Sequence, residues 1–136
     1  MTLVLDGPVA IAWCFGDERT PLLDALQLHT EREGGFVPAI WSLEVANALL
    51  MGLRRRRLTA VDRDALVDSL RALEVQQDDR TDQHVWSTTT VLAERHGLTI
   101  YDASYLELAL RRRLPLATLD TALARGAIAE AVTVLP

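Results

Sequence analysis

Short apolar runs alternate along this chain with longer stretches of helical periodicity, and few folds accommodate that pattern. The runs are Leu3-Val4-Leu5, the weaker Phe36-Val37-Pro38-Ala39, a short one at Val75, then Pro115-Leu116-Ala117-Thr118-Leu119 and Val132-Thr133-Val134-Leu135. Runs this short, apolar throughout and bounded by turn residues or carboxylates, read as strands buried on both faces, as in a parallel sheet. The helical stretches between them supply the crossovers that parallel strands require. No linker, repeat or low-complexity segment divides the 136 residues. The expectation is therefore a single domain over residues 1–136: an α/β fold, a three-layer α/β/α sandwich around a central parallel five-stranded sheet. Strand order is not readable, but in such sheets ligands bind beyond the carboxyl ends of the strands.

The helices carry their own start and stop signals. A turn and a helix follow Asp6-Gly7-Pro8, and Thr20-Pro21 caps a second helix with Leu22, Leu23 and Leu26 on one face, stopping at Gly34-Gly35. Ser42 is placed to cap a helix carrying Leu43, Ala46, Leu49 and Leu50 into the run Arg54-Arg55-Arg56-Arg57. Thr59 with Asp62 resembles a capping box and opens a helix through Leu73. A helix is expected over residues 81–96 with Gly97 as its stop, Asp102 opens another over residues 103–113, and Asp120 opens a short one.

Four carboxylates, Asp6, Glu44, Asp102 and Asp120, stand where an apolar segment ends or a helix begins. Singly, each is explained as a helix cap or a first-turn acid favoured by the helix dipole. Their neighbours are not so explained: Glu44 shares a helical face with Asn47, and Asp120 shares a strand face with Thr118. Acids gathered at one sheet edge would raise one another's pKa values unless a hard cation such as Mg²⁺ neutralised them.

Composition removes several alternatives. The net charge of −5 argues against a protein coated in positive charge, although a local patch remains open. All 14 basic side chains are arginine. Without lysine, a receiver domain of a two-component system lacks its phosphoryl-site cation. A phosphatase of the haloacid dehalogenase type lacks both its lysine and the second aspartate, whose place Pro8 takes. No Gly-rich phosphate loop or dinucleotide fingerprint is present. The one cysteine, Cys14, lies in an apolar run and reads as a reduced core residue, and His29, His84 and His96 are too scattered for zinc. The apolar run before Asp6 is too short for a signal-peptide core, so a cytoplasmic location with no membrane association is expected.

Taken together, the motifs resemble those of the PIN-domain ribonucleases, and in particular the VapC-type toxins of bacterial type II toxin–antitoxin pairs. The resemblance spans almost the whole chain. It rests on Leu3-Val4-Leu5-Asp6, on Pro38-Ala39-Ile40-Trp41-Ser42-Leu43-Glu44-Val45-Ala46-Asn47-Ala48-Leu49, on His96-Gly97-Leu98-Thr99-Ile100-Tyr101-Asp102-Ala103-Ser104-Tyr105-Leu106, and on Leu114-Pro115-Leu116-Ala117-Thr118-Leu119-Asp120. It implies that the first and fourth strands are neighbours, with Asp6 beside Asp120. It implies further that Asp6 and Asp102 bind the principal Mg²⁺ or Mn²⁺, that Glu44 and Asp120 complete the catalytic pocket directly or through water, and that Asn47 and Thr118 orient them. The implied reaction is metal-dependent hydrolysis of RNA phosphodiester bonds. One departure stands out: Pro8 occupies the place of the family's usual serine or threonine. Proline donates no hydrogen bond, so Asp6 is expected to be held less firmly and the metal less tightly.

Arg54, Arg55, Arg56 and Arg57 could track an RNA backbone or could simply be a solvated helix end, as could Arg111, Arg112 and Arg113. Trp13, Phe15 and the leucines after Thr20 read as core, or as a groove for an apolar partner helix. The family resemblance implies that a cognate VapB-type antitoxin fills such a groove, with the toxin a homodimer and the complex a heterotetramer or larger. The alternative within the family is a degenerate PIN domain that binds RNA or a partner without cutting.

Overall fold

Leu3, Val4 and Leu5 are wholly shielded from solvent because the strand they form is the middle one. The computed structural model describes residues 1–136. From the amino terminus it runs β1 (Val4–Leu5), α1 (Gly7–Cys14), a 3₁₀ turn (Gly16–Glu18), α2 (Pro21–Glu33), β2 (Gly35–Val37), α3 (Trp41–Arg54), α4 (Ala60–Ala72) and β3 (Val75–Gln77). Then follow α5 (Thr81–His84), a π-helical turn (Val85–Thr89), α6 (Thr90–His96), α7 (Ile100–Arg112), β4 (Leu116–Ala117), α8 (Thr121–Ala129) and β5 (Val134–Leu135). The sheet order is β3-β2-β1-β4-β5 and every pairing is parallel. This is the expected three-layer α/β/α architecture.

Side chains alternate across the sheet and so feed two cores. Leu3 and Leu5 pack with Val9, Trp13, Phe15, Leu23, Leu26, Val45 and Leu49 from α1 to α3. Val4 points the other way and joins Leu116, Leu92, Tyr105, Leu108 and Leu123 beneath α6 to α8. Cys14 is a buried free thiol, as expected, and burial pushes its pKa up to about 11. Trp13 and Phe15 are also core, with the Trp13 indole N–H donating to Leu23 O at 2.9 Å. Of the leucines in α2, Leu23 and Leu26 are buried while Leu22 and Leu28 face solvent.

Several element boundaries differ from expectation for identifiable reasons. No turn separates β1 from its helix: Asp6 is the N-cap and Pro8 sits in the first turn, where its missing N–H is harmless. Ser42 is not a cap. The turn before α3 takes that role, with Trp41 N donating to Pro38 O at 3.1 Å and Glu44 N to Ile40 O at 3.0 Å. Thr99, not Asp102, caps α7, its Oγ1 accepting from Asp102 N at 3.1 Å. The helix expected over residues 81–96 is interrupted where Ser87, Thr88, Thr89 and Thr90 crowd together, and Thr90 Oγ1 donates five residues back to Val85 O at 2.6 Å. The Thr20 cap and the capping box of Thr59 and Asp62 form as expected.

Gly34 joins α2 to β2 with φ 74°, and a Cβ there would lie 2.8 Å from the carbonyl oxygen of Glu74. Neither the left-handed conformation nor the backbone neighbour tolerates a side chain. Gly34→Ala is expected to lower stability by about 1–3 kcal/mol. Coincident urea midpoints for the two proteins would show that this junction is not constrained.

Candidate active site

The chain leaves β1 for β2 and β3 on one side and later crosses to β4 and β5 on the other, so a crevice opens between the carboxyl ends of β1 and β4. The register Val4↔Leu116 and Leu5↔Ala117 sets Asp6 beside Thr118, and Asp6 N donates to Ala117 O at 3.0 Å. Asp6 is only 1% exposed, and both of its oxygens are engaged. Oδ1 accepts from Gly7 N at 2.8 Å and Oδ2 from Thr118 Oγ1 at 2.7 Å. The same threonine oxygen accepts from Asp120 N at 3.0 Å, while Asp120 Oδ1 caps α8 by accepting from Leu123 N at 2.8 Å. Asp6 is thus oriented without help from residue 8.

Glu44 enters from the first turn of α3, which packs alongside α1. The approach is close: a Cβ on Gly7 would lie 2.9 Å from Glu44 Oε2, so glycine after Asp6 makes room for the second acid. Glu44 Oε1 accepts from the Tyr105 hydroxyl at 2.7 Å. Tyr105 belongs to α7 in the opposite helical layer, and this bond joins the two layers over the end of β1. Asp102 stands one turn before Tyr105 on the same helix, half-buried, and Thr99 relieves it of capping.

Electrostatics tie the acids together. Burial pushes the Asp6 pKa up to about 7; the Thr118 and Gly7 hydrogen bonds oppose the rise, and the negative charges of Glu44 and Asp102 add to it. Burial also raises Glu44, with Asp102 adding to the effect and the Tyr105 bond opposing it. Asp102 is raised by burial and then by Asp120, against the Thr99 hydroxyl. Tyr105 is held firmly protonated by burial and by its bond to Glu44. No cationic side chain is among the charges acting on these acids. No three His, Cys, Asp or Glu side chains are grouped so as to hold an ion as they stand. The donor chemistry nevertheless suits a hard divalent cation, since every available donor is oxygen and the negative charge is uncompensated.

The other candidate residues divide. Thr118 contacts Asp6 directly, whereas Asn47 lies on the exposed side of α3 with no hydrogen bond to the acids. Arg57 is committed elsewhere: it pairs with Asp17 and Glu18 and stacks on the Phe15 ring, 4.1 Å from its centroid. Arg54, Arg55 and Arg56 are exposed and unpaired; Arg54 lies ten residues beyond Glu44, about 15 Å of helix. Two contributors had escaped notice. Tyr105 is detectable as a tyrosine three residues after Asp102 and so on its helical face, and Gly7 as the small residue beside the first acid.

An acid whose folded pKa lies well above its unfolded value of 3.8 binds its proton more tightly in the folded state. Its stabilising contribution is complete below about pH 4 and is lost as the pH rises through about 7, a difference of roughly 4 kcal/mol. Asp6→Asn is therefore expected to melt several degrees above the parent protein at pH 8 in chelator, with the advantage gone near pH 4. An equal difference at both pH values would contradict the electrostatic assignment.

Comparison with known proteins bears on the fold and the family. No curated protein matches the chain. A solved structure, that of PAE2754 from Pyrobaculum aerophilum, superposes with a TM-score of 0.70 over 98% of this chain and 83% of that one, at 24% identity. That level of identity establishes the shared fold. The model of the PIN domain family matches residues 3–129. With nearly its whole length matched, the chain belongs to the PIN domain family, whose members are generally metal-dependent nucleases.

Proposed function

We propose that this protein is a Mg²⁺-dependent endoribonuclease of the VapC type, the toxic component of a toxin–antitoxin pair, with Mn²⁺ as an alternative ion. The observation that carries the reading is the uncompensated cluster of Asp6, Glu44 and Asp102, whose raised pKa values reflect burial and mutual repulsion at the sheet's switch point. Asp6 and Asp102 would hold the ion, with Glu44 and Asp120 completing its surroundings directly or through water. Bound there, a divalent cation would lower the pKa of a water and stabilise charge on the departing 3′ oxygen.

The chain's own groups do the rest. Thr118 and Gly7 fix Asp6, and Tyr105 fixes Glu44 Oε1, leaving Oε2 toward Gly7. Glu44, whose Oε2 is left free of the Tyr105 hydroxyl, would be placed to accept the proton of the attacking water. Attack at phosphorus would then break the bond to the 3′ oxygen, which takes a proton from solvent, leaving a 5′-phosphate and a 3′-hydroxyl. Arg54, Arg55 and Arg56 would meet the RNA backbone away from the scissile bond, positioning it without reading sequence.

For the antitoxin, the best-suited surface is the cleft between α3 and α4, about 440 Å³, walled by Trp41, Val45, Leu49, Val67 and Leu70. Trp41, which helps wall the cleft, has a buried Nε1 without an acceptor. The free protein would be a homodimer, forming a heterotetramer or larger assembly with its antitoxin.

Induction without antitoxin, followed by sequencing of RNA ends, is expected to reveal discrete new 5′ termini. Asp102→Asn should reduce purified cleavage activity by about 100-fold or more with the fold retained. A well-folded parent protein inert toward all cellular RNA in both Mg²⁺ and Mn²⁺ would defeat the nuclease reading in favour of a binding module.

A further inference from the structure

Beside the acids lies a second, chemically different cavity of about 250 Å³, lined by Ile40, Val85, Ile100 and Tyr101 together with Thr81 and Asp82. It shares elements with the acidic site. Ile40 is one helical turn before Glu44, and Ile100 and Tyr101 immediately precede Asp102. Its remaining wall comes from the segments after β2 and β3, so it opens on the same carboxyl edge. Tyr101 is 61% exposed and Ile100 38%, although both adjoin a buried helix face.

The cavity is also held rigidly, which an accidental surface dimple need not be. Ala39 N donates to Thr81 Oγ1 at 3.3 Å, and that hydroxyl donates to Asp78 Oδ2 at 2.9 Å. Asp78 is buried at the end of β3, and burial alone would raise its pKa, yet hydrogen bonds from Arg111 and Thr81 and the Arg111 charge hold it below the ordinary range. Arg111 makes a forked contact, Nη1 to Oδ1 at 3.0 Å and Nη2 to Oδ2 at 2.6 Å, while Nε binds Glu107 Oε1 at 2.7 Å. A buried ion network thus anchors the segments carrying Ala39, Thr81 and Asp82.

We infer that this cavity receives one unstacked base of the RNA strand whose scissile phosphate lies at Asp6 and Asp102, stacked on Tyr101. The inference rests on the ribonuclease reading and deepens it. Three observations select a base over other occupants. The volume suits a single ring system and is too small for a dinucleotide. An uncharged aromatic face can sit close to the acids, where a phosphate could not without a cation. The lining is almost wholly apolar, which suits the face of a base and not a charged backbone. The cavity thereby engages a base, which backbone contacts from Arg54, Arg55 and Arg56 do not.

The test uses fluorescein-labelled single-stranded RNA octamers containing each base twice, plus the set in which one position at a time is abasic. Affinity is read by anisotropy in Ca²⁺, and cleavage separately in Mg²⁺ and Mn²⁺. One abasic position is expected to weaken binding to the parent protein about tenfold and binding to Tyr101→Ala not at all, the loss being restored in Tyr101→Phe. RNA that is bound and cut with no abasic position mattering, or with equal losses in parent and Tyr101→Ala, overturns the base pocket and leaves the nuclease reading standing. The abasic effect without cleavage in either metal supports the pocket and removes the nuclease reading. No RNA binding at all removes both, and Tyr101→Ala that impairs binding of a protein partner while RNA binding is unchanged assigns the cavity to that partner.

Discussion

An ionisable group buried at the end of the central strand governs the whole carboxyl edge. Asp6 has no room to reach water, and its hydrogen bonds from Gly7 and Thr118 only partly offset the desolvation of its charge. A fold selected for stability alone would place an apolar or amide side chain there. Instead the neighbours worsen the problem, because Glu44 and Asp102 add negative charge and no arginine approaches. Such local instability persists where it does chemical work, and a buried, uncompensated group of oxygens at a switch point is the environment in which a hard cation gains most.

The surrounding packing reads as the means of keeping that group assembled. Two polar bonds reach the acids across the fold: Thr118 to Asp6 joins β4 to β1, and Tyr105 to Glu44 joins the two helical layers. The helices from which Glu44 and Asp102 project are packed into opposite cores, fed by alternating side chains of one strand. Gly7 is the steric counterpart of these bonds, admitting Glu44 beside Asp6. Pro8 belongs to the same economy of space: it begins α1, and the orientation of Asp6 is met from the strand side by Thr118.

Much of this was legible in the sequence, and the remainder was hidden for physical reasons. Leu3-Val4-Leu5 announced a doubly buried strand, and the repeated strand–helix pattern announced parallel pairing. Thr20-Pro21 and the pair Thr59 and Asp62 were readable as caps because capping is local. Thr99 at the head of α7 was equally local, but the more prominent Asp102 three residues later drew the assignment to itself. Two features could not be read, one for want of a simple local rule and one because it depends on distant partners. The π-helical turn at Val85–Thr89 turns on a crowd of hydroxyl side chains within an otherwise helical pattern. The commitment of Arg57 to Asp17, Glu18 and Phe15 requires knowing that α1 and α3 lie side by side.

The arginines extend the account of charge in this acidic protein. A basic run invites assignment to nucleic acid, yet the most strongly engaged guanidinium, that of Arg111, neutralises Asp78 and Glu107 inside the protein. Arg112 extends over the Phe36 ring, 4.4 Å from its centroid. Both choices suit arginine over lysine, since a planar fork satisfies carboxylates bidentately and a flat cation stacks on aromatic faces. Part of the all-arginine composition is therefore structural, and the unpaired Arg54, Arg55 and Arg56 stand out by contrast with their paired neighbour. The ion network around Asp78 anchors the segments that wall the apolar cavity, whereas no guanidinium is supplied to Asp6, Glu44 and Asp102, whose negative charge stays uncompensated.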